Sequence, residues 1–300
     1  MARACVGVLV AVGLSLPMAG IAKEKEPQRL SPSSPWNVHY ADDSCRFGRS
    51  FGEGDQRIMF SAARYDDGDD LRISFYGKSL KKNVDGELRV RIHPHDHVKK
   101  LMFYPATGSN DLPALVLTPS VRLYDTEEAD KRRTDAFAAD GSNYQSPPVT
   151  PEQEAAITGW ELSGKFMPHV VLETGSMGAV MATVRQCTDQ LLGEWGLDVA
   201  RHKSLSARAQ PITSPASWMT NDDYPRHLAE RGVRGIVNFR LMIDADGGVT
   251  ACHIQQSTRP AEFDEAACKG LMLRAKFKPA LDADGQPMPS FYRNSVRFMM

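Results

Sequence analysis

The chain has 300 residues, with 36 Lys+Arg against 37 Asp+Glu, a formal net charge of −1 and a sequence pI of about 6.7. A hydrophobic fraction of 42% can fill real cores, so a chain disordered throughout is excluded. The balanced charge lacks the basic surplus that phosphate neutralisation requires, so nucleic acid is not an expected partner. A single long apolar run, at the N-terminus, excludes a polytopic membrane protein.

That first run reads as an export signal. Arg3 supplies the positive start, Ala4 to Ala22 carry no charge, and Gly20-Ile21-Ala22 offers a small-x-small cleavage site. Cleavage after Ala22 places the protein in the periplasm. The alternative is an uncleaved inner-membrane anchor through residues 4–22, which is just long enough to span and would be the chain's one membrane contact. Residues 23–35 are polar and Pro-rich, and are expected to be a leader.

Strand patterns follow from Trp36. Trp36 to Tyr40, Arg57 to Ala63, Leu71 to Tyr76, Glu87 to His93, Ala114 to Leu117, Trp160 to Leu162 and Val170 to Leu172 are the candidate strands. Asp66-Asp67-Gly68-Asp69, Asp85-Gly86 and Thr107-Gly108-Ser109-Asn110 separate some of them as turns. Residues 126–156 are polar and are expected to be a flexible excursion. Met177, Val180, Met181, Val184, Cys187, Leu191 and Leu192 recur at three- and four-residue steps, so one amphipathic helix closes the region, capped by Thr174 or Ser176. The expectation is a mainly-β domain over 36–196, a linker over 197–217 and a second domain over 218–300, together an α+β protein.

Four cysteines follow the leader: Cys45, Cys187, Cys252 and Cys268. An even number in an exported chain implies two disulfides, and no Cys-x-x-Cys suggests a metal site. The domain layout selects Cys45–Cys187 and Cys252–Cys268.

The last third carries an ordered set of signals. Tyr224-Pro225 opens an amphipathic turn through Leu228 and Ala229, Ile236 to Ile243 is a strand, Asp246-Gly247 is a hairpin turn, and Val249 to Ser257 returns. Phe263 to Arg274 is a helix, Phe277-Lys278-Pro279-Ala280 leads out of it, and a final strand runs from about Phe291 to Phe298. With Gly235, the alternating Val237, Phe239, Leu241 and Ile243, and Phe263-Asp264-Glu265-Ala266-Ala267, this set resembles the TonB C-terminal domain family over residues 215–300. The resemblance implies a small αββαβ module and no catalysis. It also implies that the last strand, Tyr292, Arg293, Asn294, Ser295, Val296, Arg297 and Phe298, receives a short segment of an outer-membrane receptor or other envelope protein as an added strand. Participation in TonB-dependent transport across the outer membrane follows as an expectation, with Arg293 and Arg297 decorating the open edge. Gln210-Pro211 is similar to an element near the start of such domains. The family's long Pro/Lys/Glu-rich spacer is missing, and a folded β-rich region stands in its place. A structural envelope protein without a transport role is the alternative. Ile254 is core-like, so Cys252, two residues away, shares its face and points at the helix.

Enzymatic signals are weak, and no small-molecule substrate or cofactor is indicated. His93, His95 and His97 alternate and would suit a metal-dependent enzyme on an extended segment, against which Pro94 breaks the strand. The two Asp-Ala-Asp-Gly runs, at 244–247 and 282–285, lack the distal Glu of a calcium loop and are better explained as turns. Gly175-Ser176-Met177-Gly178 lacks the form of a nucleophile elbow.

Overall fold

The alternating runs build one large sheet in a computed structural model that describes Met1 and residues 26–82, 84–118, 120–124, 126–140, 147–257 and 260–299. The expected export segment, Ala4 to Ala22, and the start of the leader lie outside the described residues. The strands are β1 (Gln28–Leu30), β2 (Asn37–Ala41), β3 (Ser44–Phe51), β4 (Ile58–Arg64), β5 (Asp70–Tyr76), β6 (Gly86–His93), β7 (Val98–Thr107), β8 (Pro113–Thr118), β9 (Val121–Arg122), β10 (Gly159–Gly164) and β11 (Met167–Leu172). Their order is β1-β11-β10-β6-β7-β8-β5-β4-β3-β2, with β9 also on β5. All neighbours are antiparallel except β1 and β11.

The sheet's two ends meet. Just past β1, Pro32 bridges to Phe51 of β3, Ser33 N donates to Ser50 O at 2.8 Å, and Gly52 N donates to Ser31 O at 2.9 Å. The expected leader is therefore partly structural: Gln28 to Leu30 add a strand, and Leu30 is buried. Apolar residues at every second position turn inward, and Trp36, Phe47, Phe60, Phe75 and Trp160 stack edge-on and tilted at centroid distances from 5.2 to 6.4 Å.

Helix α1 (Glu127–Asp140) and helix α2 (Pro151–Ala156) occupy the stretch expected to be a flexible excursion. Thr150 forms a capping box with Gln153 at the start of α2, which fixes that end by local chemistry. Helix α3 (Gly178–Glu194) buries Val180, Met181, Val184, Cys187 and Leu191 of the stripe read from the sequence against β3 and its neighbours, while Leu192 packs with Leu197 and Phe291. The Cys45–Cys187 disulfide joins this helix to β3.

The expected linker is docked as well. It contains α4 (Val199–Lys203), whose His202 is buried, and β12 (Gln210–Pro211). The chain then forms α5 (Arg226–Glu230), β13 (Gly235–Ile243), β14 (Val249–Ser257), α6 (Glu262–Arg274), β15 (Phe277–Lys278), β16 (Ala280–Leu281), β17 (Pro287–Met288) and β18 (Ser290–Phe298). Strand β12 pairs with β15, and β16 pairs with β17. A three-stranded antiparallel sheet has the order β14-β13-β18. Its inner face packs Val237, Phe239, Leu241, Ile243, Val296 and Phe298 with Phe263, Ala267 and Leu271 of α6, forming a second core.

The Asp246-Gly247 turn behaves as expected. Gly247 has φ +83°, and a Cβ there would lie 1.9 Å from Phe277 O, so only glycine fits. Asp244 Oδ1 accepts from Asp246 N and Gly248 N at 3.0 and 2.7 Å, and Asp282 Oδ1 accepts from Asp284 N and Gln286 N at 3.0 and 2.9 Å. Both Asp-Ala-Asp-Gly runs are thus self-capped turns.

Cys252 and Cys268 are joined across β14 and α6, with a sequence separation of 16. Replacing both by alanine is expected to lower the stability of this module by about 3 kcal/mol in the chain-entropy account, read by urea denaturation of the oxidised protein. A loss below about 1 kcal/mol would show that α6 packing alone holds the hairpin.

Candidate functional site

Strand β18 is placed by alternation. Val296 and Phe298 turn into the second core, and Tyr292 lies half-buried against Trp218 and Phe277 at 5.6 and 5.0 Å. Phe298 stacks on Phe263 at 4.4 Å, and Tyr224 meets both rings edge-on at 5.6 and 5.3 Å. The strand is therefore anchored at both ends by aromatic contacts with the module's own core. One side pairs with β13 in unbroken register, from Gly235↔Phe298 to Ile243↔Ser290. Among the described residues no strand pairs with its other side.

Asn294 and Arg297 are exposed on this edge, and Ser295 is half-exposed. Asn294 folds back along the strand. Its Oδ1 accepts from Ser295 N at 2.8 Å, and its Nδ2 donates to the Tyr292 hydroxyl at 2.8 Å. In an antiparallel ladder the N–H groups alternate between the paired and the open side. A Ser295 N–H that takes a neighbouring side chain as acceptor belongs to the open side. Burial pushes the Tyr292 hydroxyl above its ordinary pKa, against the opposing effect of the Asn294 hydrogen bond.

Arg293 departs from the sequence expectation. It does not decorate the edge: its Nε donates to Gln255 at 2.7 Å, Nη1 pairs with Asp66, and the guanidinium lies 5.0 Å from the Tyr65 ring. Arg240, its register partner on β13, also faces the N-terminal part and lies 3.6 Å over Trp195. Arg240, Phe291 and Arg293 on the outer face of the three-stranded sheet are thus covered by the preceding half of the chain, while His253 and Arg297 on that face are exposed. The sequence held no signal for this contact, because neither Asp66 nor Tyr65 is near the module in the chain.

The start of the module is tied to α6 by one residue. Arg274 Nε donates to Trp218 O at 2.6 Å, and Nη2 pairs with Asp223. Burial raises the Asp223 carboxyl, but hydrogen bonds from Arg274 and Thr220 outweigh that and hold it below its ordinary pKa. Gln210-Pro211 joins the same edge of the core as β12 on β15.

The histidine cluster does not converge. His93 closes β6 and His97 precedes β7, so a turn replaces the extended segment considered from the sequence. His93 Nε2 is 3.3 Å from Glu161 Oε2, the His95 ring meets Tyr124 at 4.4 Å, and His97 Nε2 is 3.4 Å from Asp130 Oδ2. Among the described residues no group of three His, Cys, Asp or Glu side chains is placed to hold a metal ion. Ser176 donates to Ala155 O at 2.8 Å and accepts from Gly178 N at 3.4 Å, but the cap position of α3 is Met177, which makes no side-chain cap bond, so neither Thr174 nor Ser176 is the cap expected from the sequence.

Among the described residues no helix is long and apolar enough to cross a membrane. No curated protein matches the chain. Residues 220–300, which hold α5, the three-stranded sheet and α6, match the family model described as Gram-negative bacterial TonB protein C-terminal, and the resemblance read from the sequence is thereby borne out for this part of the chain.

Proposed function

We propose that the protein is an exported, non-catalytic envelope protein whose C-terminal module captures an extended segment of a partner, such as the N-terminal segment of an outer-membrane receptor, by strand addition to β18. The observation that carries this reading is the one-sided pairing of β18 in a module that matches a TonB C-terminal model. Main-chain bonds to the open edge would supply affinity, and Asn294, Ser295 and Arg297 would supply selectivity. Participation in TonB-dependent transport across the outer membrane is the role this binding would serve. The periplasm is the proposed location, with residues 4–22 as a cleaved signal or, alternatively, an inner-membrane anchor. An αββαβ framework of α5, β13, β14, α6 and β18, with the short β15, β16 and β17 between α6 and β18, would present the edge.

Receptor N-terminal peptides added to the protein are expected to bind in the micromolar range or tighter, and Ser295→Pro is expected to weaken that binding at least tenfold. Proline removes a donor on the open side and leaves every core side chain in place. Ser295→Ala, which keeps the N–H, should bind as the wild type does. Equal binding by the proline variant, in a protein with unchanged circular dichroism, would end the strand-addition reading.

A second reading has its own support. The module's outer face is docked on the N-terminal part through Arg293, Arg240 and Phe291, which suits a structural envelope protein in which the module serves internal packing. Absence of binding by any receptor peptide would favour it.

A further inference from the structure

The contact between the N-terminal part and the module is built from charged groups and aromatic rings. The turn between β4 and β5 supplies the acceptors. Asp66 takes Arg293, while Asp67 accepts from Nη1 and Nη2 of Arg208 at 3.0 and 3.1 Å and lies 3.2 Å from His202 Nδ1. Burial alone would raise the Asp67 carboxyl, yet hydrogen bonds from His202 and Arg208 hold it well below the usual carboxylate range. Arg72 of β5 donates to Asn238 at 3.1 Å and pairs with Gln256, and Tyr65 lies between Arg72 and Arg293 at 5.4 and 5.0 Å. His202 stacks on Phe291 at 5.3 Å and sets its Nε2 3.4 Å from Ser290 Oγ. The apolar share is small: Leu192, Leu197 and Phe291, with Trp195, Val199 and Met242 beside them.

Two further features make this contact separable. Each part has its own core and its own disulfide, and neither disulfide crosses between them. Arg240 is 5% exposed, its Nε and Nη1 have no hydrogen-bond partner, and burial lowers its pKa to about 10 against the opposing pull of Asp43. A buried cation without a hydrogen-bonded anion opposes the docked state. Contacts of this polar kind between parts of one chain ordinarily open and close.

The contact divides β18. Ser290 and Phe291 are 2% and 8% exposed under His202 and Trp195, and Arg293 is half-buried on Asp66 and Tyr65, whereas Tyr292 is half-buried on the module's own Trp218 and Phe277. Asn294 and Arg297 are exposed. We infer that the Asp66–Asp67 turn, together with His202 and Arg208, is an autoinhibitory latch on the first half of β18, and that its release extends the edge a guest strand can use from Asn294–Phe298 to Ser290–Phe298. The inference rests on β18 being the guest-binding strand and adds the regulation of that strand.

The test uses the full exported chain with Asp66→Asn and Asp67→Asn together. These changes keep volume, replace one acceptor oxygen of each side chain by an amide donor and remove both charges. A second variant, Arg208→Gln, acts on the same contact and touches neither core. Hydrogen exchange of the 290–293 amides is expected to accelerate at least tenfold in both variants, while the amides of β13 and α6 exchange as before. The probes are the tightest nine-residue receptor N-terminal peptide and its five-residue central fragment. Wild type is expected to bind the two within threefold of each other, whereas the variants bind the longer one at least tenfold tighter. Unchanged exchange at 290–293 would overturn the latch without touching strand addition. Accelerated exchange with no gain for the longer peptide would overturn the gating. Failure of wild type and variants alike to bind either peptide would remove the strand-addition reading itself, and the latch's regulatory role with it.

Discussion

Cys45→Ala combined with Cys187→Ala is expected to lower the unfolding free energy of the N-terminal part by about 4 to 5 kcal/mol. The bond closes a sequence separation of 142, far longer than that of Cys252–Cys268, and the entropy lost by the unfolded chain grows with the logarithm of loop length. Its location adds a second cost. Cys45 lies on β3 and Cys187 on the buried stripe of α3, at 0% and 2% exposure. The bond fastens the helix beside β2, the strand that ends the sheet order. Two alanines would leave the space of two sulfurs in a packed core, and such voids are not refilled without cost. Guanidinium denaturation of the oxidised variant beside the oxidised wild type measures the difference. A shift equivalent to less than about 1 kcal/mol would mean that the stripe of α3 alone holds the sheet.

Which elements the sequence disclosed depended on whether local pattern and final contact agreed. Strands β4, β5 and β6 alternate cleanly, β10 alternates from Trp160 to Ser163, β11 carries a short apolar run, and helix α3 was readable because its apolar residues recur three and four apart on one face. Strand β3 was missed: its inward residues Cys45, Phe47 and Phe51 are interleaved with arginines and with Gly48, whose missing Cβ lets Phe60 O approach. Strand β7 was masked by Lys99, Lys100 and Pro105 on or near a solvent-facing side. Helix α1 is polar, and residues 127–135 are exposed or half-buried, so its period carried no signal. Strand β1 is three residues in a polar leader, and only its parallel partner β11, far away in sequence, makes it a strand.

The module was legible because its hairpin, helix and exit follow one another in the chain. Even there, what was legible was the strand and not its surroundings. Val296 and Phe298 were read as strand residues, and their inward position follows from the period of two. The covering of Arg293 by Asp66, and of Phe291 by Trp195 and His202, depends on contacts between residues separated by more than 80 positions. Residue pattern reports which face of an element is apolar. It does not report which other charged surface that element will meet.

Phe263→Ala is expected to destabilise the module by about 3 to 5 kcal/mol and, under the proposed strand addition, to abolish the binding of a guest strand at β18. Phe263 is fully buried, stacked on Phe298 and edge-on to Tyr224. It joins the first turn of α6 to the last residue of β18 and to the ring that precedes α5. Truncation removes the aromatic partner of Phe298 and leaves a void that Tyr224, whose hydroxyl is tied to Val233 O, cannot swing to fill. The C-terminal end of β18 then lacks its apolar anchor, and Val296 is the nearest residue that still packs inward. Amide exchange at Val296 and Phe298 should therefore rise more than at Leu241, which sits on the central strand between two neighbours. Under the proposed strand addition the open donors of β18 would receive a guest only while the strand is held straight, so binding should fall further than global stability alone would predict. Phe263→Leu, which keeps most of the apolar volume, should cost less and retain binding. Equal losses of exchange protection at Leu241 and Phe298 in the alanine variant would mean that the module unfolds as one unit, and that Phe263 supports the whole core rather than the edge.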